Sequence, residues 1–185
     1  MKRHVALIVL ALTAAIVVDL HVDWRRADNG VLMRVGEHDV DVWGHTRQAW
    51  THFTRRCGSV RVVGAGDADW GASLAAIHGY SPPDSLTAQL VGLTRQGDWL
   101  LAQVVSDRLM PAVVALQSQG TGVALAPTGI WSGNTAPWLA APWIRDYLQR
   151  QVPQLPSALA DCLDIDPDSP LQRPMPLPAP SRTAP

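Results

Sequence analysis

Lysine occurs once in this chain, at Lys2, phenylalanine once, at Phe53, and cysteine twice, at Cys57 and Cys162. Charge is scarce too, with 17% of residues charged and a formal net charge of -1. A general nucleic-acid binder needs a basic excess to neutralise phosphates. The 15 basic residues here are balanced by 16 acidic ones and form no dense tract, so that class is excluded. No internal repeat is visible. No lipobox-like cysteine stands directly behind the N-terminal apolar run, so lipid attachment at that point is not supported. What the chain does have is 185 residues, 47% of them hydrophobic, which is enough for one compact core once a targeting segment is set aside and too much for disorder throughout.

Tryptophan runs against the shortage of other aromatics, with eight copies beside two tyrosines. Trp, Arg, Ala, Gly and Pro have G/C-rich codons while Phe and Lys have A/T-rich ones, so genome composition accounts for the bias without a Trp-lined site. A ligand platform built from indoles is the competing explanation.

Lys2, Arg3 and His4 precede an apolar run from Val5 to Val18, the charged and hydrophobic regions of an export signal. An A-x-A-like cleavage site is absent, the nearest small-residue option being Thr13-Ala14-Ala15, and retention as an anchor is slightly favoured. Such a run rises only about 21 Å against a hydrocarbon core of roughly 30 Å, so an uncleaved span would also recruit Leu20, Val22 and Trp24. The basic N-terminus places the body outside the cytoplasm, although Arg25 and Arg26 weaken the asymmetry. A buried first helix of a cytosolic domain is the alternative. Export agrees with the even pair Cys57 and Cys162, expected to be bridged in an oxidising compartment; two buried thiols are the other reading.

In the body, Val31 to Val35 and His38 to Trp43 read as opening strands, the second from its alternation of valine and aspartate. From His45 to Arg56 the period becomes helical, with Trp50, Phe53 and Cys57 predicted to face the core and Gly58 to end the helix. Arg61 to Val63 is a short strand candidate, and Asp69 is placed to cap a helix carrying Leu74 and Ile77 that stops at Gly79. Leu86 to Thr94 and Trp99 to Ser106 form a hairpin about Gln96-Gly97-Asp98. With Ala112 to Gln117 and Val123 to Ala126 they make an antiparallel meander. Pro142 opens a helix whose stripe Trp143, Ile144, Tyr147 and Leu148 is opposed by Arg145, Asp146, Gln149 and Arg150. Pro156 to Leu163 adds a short helix bringing Cys162 to the core.

The expected architecture is α+β: an antiparallel β-meander with packing helices, preceded by one N-terminal hydrophobic signal or anchor helix. The boundaries are residues 1–24 for that segment, 25–163 for a single extracytoplasmic domain and 164–185 for a Pro-rich disordered tail.

Each candidate chemical site has a structural alternative. His38, His45 and His52 are seven residues apart, about 10.5 Å along a helix per step, which argues against a shared metal; no metal and no cofactor is assigned. Gly64-Ala65-Gly66-Asp67-Ala68-Asp69 falls short of a nucleotide loop because Asp69 replaces the third glycine and two carboxylates occupy the phosphate position; it reads as an acidic helix cap. Asp164, Asp166 and Asp168 imitate the start of a calcium loop but lack its glycine and closing glutamate. No G-x-S-x-G elbow exists, and His78, Ser81 and Asp84 are close only along the chain.

The best place to look for a binding surface is Trp131, Ser132, Asn134 and Trp138, with Trp143 beyond them. Indole faces there could supply contact area and Ser132 or Asn134 hydrogen bonds, unless the loop merely folds back to plug the core. These features add up to an envelope protein, in the periplasm as an exported or inner-membrane-anchored chain. Its expected role is non-catalytic, in protein interaction or assembly, with the membrane contacted through the N-terminal helix if uncleaved, an envelope protein as partner and no nucleic acid. An exported hydrolase and a small-molecule or glycan-binding module at Trp131 and Trp138 are the alternatives.

Overall fold

A computed structural model of the chain describes residues 22–120 and 122–173, together with His4, Ile8, Leu10 and Thr13. The predicted signal or anchor helix therefore lies almost wholly outside the described residues, as does 174–185 of the predicted tail. Among the described residues no helix is long and apolar enough to cross a membrane. The chain divides into two compact units, residues 1–46 and 47–185.

The first unit holds a three-stranded antiparallel meander: β1 (Val22–Ala27), β2 (Gly30–Val35) and β3 (His38–Val40). Val22 and Trp24, which a longer apolar span would recruit, are strand residues facing Val35 and Met33. Gly36, at φ 61°, opens the two-residue turn between Val35 and His38, where only glycine takes a positive φ without strain. The second opening strand stops earlier than its valine alternation predicts. Asp41 accepts the Gly44 N–H at 2.7 Å and so caps a helix, α1 (Val42–Thr54), leaving Val42 and Trp43 helical.

The second unit is built on a five-stranded antiparallel sheet in the order β4 (Arg61–Val62), β5 (Gln89–Gln96), β6 (Trp99–Val105), β7 (Ala112–Gln119), β8 (Gly122–Ser132). The predicted α+β class and antiparallel meander are thus present. Gly97 and Gly120, at φ 58° and 57°, make its tight turns. Strand alternation feeds two cores, one on each face. Leu100, Ala102, Val114 and Leu116 pack with Ile77 of α2 (Ala68–His78). Leu101, Val113 and Ala115 pack with Ile144 and Leu148 of α3 (Ala140–Gln151) and Leu159 of α4 (Ser157–Asp161). Each fully buried leucine contributes about 1.5–3 kcal/mol, so central strands buried on both sides are the firmest part of this unit.

Several local expectations change. Asp67, not Asp69, is the N-cap of α2, accepting the Asp69 N–H at 3.0 Å. The α3 helix begins two residues before Pro142, which is tolerated because a first-turn N–H needs no helical partner. Arg145, placed on the solvent face by periodicity, is 4% exposed. The segment 164–173, read from composition as the opening of the tail, is anchored: Leu171 is fully buried, and Gln172 Oε1 accepts the Ala140 N–H at 2.7 Å.

Candidate functional site

Helix α1 reverses the usual orientation of an amphipathic helix. At 100° per residue, Gln48 and Arg55 fall on one side and Trp50 and Phe53 on another. The polar side is the one that docks. Arg47 pairs with Asp146, Gln48 Oε1 accepts from Arg145 Nη2, and Arg55 Nη1 reaches Asp164 Oδ1 at 2.7 Å. His52 Nε2 lies 2.6 Å from Gln48 Nε2 and 3.0 Å from Asp164 Oδ1, and it can accept from the first or donate to the second, not both at once. Just beyond the helix, Cys57 and Cys162 form a disulfide with Cα atoms 5.9 Å apart, so the predicted bridge is present.

The aromatic side is left in solvent. Trp50 is 68% exposed and Phe53 85%, their rings 6.3 Å apart at a tilt of 41°. The expectation that these two residues face the core is therefore overturned. The physical reason is the seat beneath the helix: Asp146, Asp164 and the buried guanidinium of Arg145 offer charged partners to Arg47, Arg55 and Gln48 rather than an aliphatic surface to the two rings. Burial pulls the Arg145 pKa below its ordinary value, opposed by the charges of Asp161 and Asp164. Its Nη1 has no hydrogen-bond partner among the described residues, so the Gln48 contact at Nη2 matters to an otherwise costly buried cation.

The Trp-rich loop is placed differently from a platform. Trp138 is 8% exposed and meets Trp143 edge-on at 6.0 Å, while Trp131 is half-buried against the α3-side core. Asn134 spends its side chain on the loop and its neighbour: Oδ1 accepts the Ala136 N–H at 2.8 Å, and Nδ2 donates to the carbonyls of Pro170 and Arg173. These contacts match the plug rather than an open indole surface. Ser132 lies at the edge of a cavity, described below.

Other candidates are satisfied structurally. His78 Nε2 contacts the Ala88 carbonyl at 2.9 Å and Asp84 is 3.7 Å from Arg108, so His78, Ser81 and Asp84 do not converge as a triad. Arg61 and Arg95 neutralise Asp67 and Asp69 at the start of α2; the hydrogen bond from Arg61 holds the Asp67 carboxyl below its ordinary value. Asp166 Oδ1 accepts the Asp168 N–H at 2.8 Å, and Asp168 pairs with Arg173. Among the described residues no group of three or more His, Cys, Asp or Glu side chains could hold a metal ion.

Comparison of the chain with protein-family models, with curated proteins and with solved structures gives no match, so geometry alone carries the functional reading.

Proposed function

We propose that this chain is a non-catalytic component of an envelope assembly, acting outside the cytoplasm and docking a partner protein on the outward side of α1 around Trp50 and Phe53. The observation that carries the reading is the reversed helix: its polar side is engaged through ion pairs while adjacent aromatic rings remain exposed. Large aromatics dominate the energetics of protein interfaces, and a Trp with a neighbouring ring is a suitable anchor. A lipid surface fits less well. Binding to an anionic bilayer needs several cations facing the lipid, whereas Arg47 and Arg55 are occupied by Asp146 and Asp164, which leaves Arg56 as the one exposed arginine of this stretch without an ion pair among the described residues. The bridged cysteines support an oxidising compartment, and the basic N-terminus followed by an apolar run supports export.

The test is a photocrosslinking amino acid in place of Ala49, in the full chain within the cells that make it, with the same probe at Gln149 as control. The expected result is a discrete adduct with one other protein at position 49 only, lost in Trp50→Ala/Phe53→Ala. Adducts with lipid alone, or with a second copy of this chain alone, would overturn the reading. A second reading, binding of a small molecule, is favoured by a separate observation, the cavity on the other side of the large sheet.

A further inference from the structure

We propose that the cavity on the α2 side of the five-stranded sheet binds an uncharged amphiphile, one hydrocarbon chain ending in a neutral hydrogen-bonding head. The cavity measures about 490 Å³, and its floor is aliphatic, formed by Ile77, Val104, Val114, Leu125 and Ile130. Size and lining are those of a small-molecule site. A second hollow of about 470 Å³ adjoins it, sharing Tyr80, Leu125 and Ile130 and adding Thr128 and Gln151. The first is lined mainly by apolar side chains and the second more by polar ones.

The floor depends on an irregularity in β8. Leu116 pairs with Leu125, yet Val114, two residues earlier, pairs with Ile130, so β8 carries three extra residues in this interval. In a regular strand, positions five apart point to opposite faces. The bulge turns Ile130 to the same face as Leu125, and both then border the cavity. Thr128 holds the bulge at φ 57°, its hydroxyl donating to the Gln151 carbonyl at 2.9 Å. At Gly129 a Cβ would come within 3.0 Å of Ala126 Cβ and 3.1 Å of Ala115 Cβ, so any larger residue would push these neighbours by a few tenths of an ångström.

The ligand's charge follows from what borders both hollows, which include no Asp, Glu, Lys, Arg or His. An ionised group drawn onto the aliphatic floor would lose its hydration, and at the rim it would find no counter-charge. A neutral head has suitable partners at the open rim: Tyr80, Ser81 and Ser132 border the cavity, are exposed, and make no side-chain hydrogen bond among the described residues. Ser106 is different. Its Oγ bonds Thr87 Oγ1 at 2.7 Å and accepts the Arg108 and Leu109 N–H groups, which fixes the loop carrying Leu109 and Met110 at the mouth.

The experiment is calorimetric titration of the full chain with monododecanoylglycerol below its micelle concentration, beside dodecanoate and glycerol. Saturable one-to-one binding of the monoacylglycerol is expected, with dodecanoate weaker, since its carboxylate meets no counter-charge and must be partly dehydrated. Leu125→Trp, which fills the floor, should abolish binding while circular dichroism and melting stay native. Ser81→Ala/Ser132→Ala, which leaves the floor intact, should weaken it roughly two- to tenfold per hydroxyl and provides the answer if the first variant does not fold. Absence of saturable binding, equal binding to folded Leu125→Trp, unchanged affinity in the serine variant, or tighter binding of dodecanoate would each overturn the proposal.

Discussion

Helices α1 and α3 both carry an apolar and a polar side, and the second unit treats them in opposite ways. In α3, Ile144 and Leu148 are fully buried against the sheet. In α1 and the residue just past it, Arg47, Gln48 and Arg55 are the side chains that reach Asp146, Arg145 and Asp164, while Trp50 and Phe53 stay in solvent. The difference teaches that a helical hydrophobic pattern defines two faces without saying which is inside. For α3 the seat is an aliphatic sheet, so area removed from water decides. For α1 the seat is charged, and burying an indole there would deprive the buried Arg145 of its Gln48 acceptor.

The comparison can be broken or sharpened by substitution. The largest effect is expected where α1 is tied covalently. Cys57→Ser/Cys162→Ser opens a link spanning 105 residues, and chain entropy puts the loss at about 4–5 kcal/mol, measured by urea unfolding. Next is Leu148→Ala in α3, where a cavity in the core should cost about 2–5 kcal/mol; a loss below about 1 kcal/mol would mean that α3 is not seated as described. Gln48→Ala follows, with about 1–3 kcal/mol expected because Arg145 Nη2 loses its acceptor, a large response for a glutamine on a helix. Trp50→Ala should lie within about 0.5 kcal/mol of the parent, as for a surface position, despite removing the largest side-chain type. A cost near that of Leu148→Ala would show that α1 buries its aromatic side.

A third helix adds a pH-dependent comparison. Asp67 caps α2, and Arg61 holds its carboxyl below the ordinary 3.8. A lowered folded-state pKa means stability that is present above the unfolded value and fades as pH falls through the folded one. Melting temperature should therefore decline below about pH 4, less steeply in Asp67→Asn, and the difference between the two proteins should be small because the pair is exposed.

Much of the large sheet is legible in the residues. The turn at Gly97-Asp98, the runs on either side of it and the alternation through Leu100, Leu101 and Ala102 specify a meander, because the period of two acts over neighbouring strands. The stripe of Ile144 and Leu148 and the pairing of Cys57 with Cys162 are readable too. The reversal of α1 is not, since Asp146 and Asp164 lie about a hundred residues away along the chain and only the fold brings them beneath Arg47 and Arg55. For the same reason Arg145 reads as exposed, and the tryptophans around Asn134 read equally as a platform or a plug until Pro170 and Arg173 are seen to fold onto that loop. The β8 bulge leaves only a faint trace, Pro127 and Gly129 within an otherwise strand-like run. Leu171 is legible least of all, one leucine in a stretch whose composition suggests a tail.

The most direct measurement is hydroxyl-radical footprinting of the isolated, disulfide-bonded full chain, with oxidation of each aromatic residue followed by mass spectrometry. The account predicts that Trp50 and Phe53 are oxidised rapidly while Trp138 is protected. Protection of Trp50 equal to that of Trp138 would contradict it, because α1 would then be seated on its aromatic side.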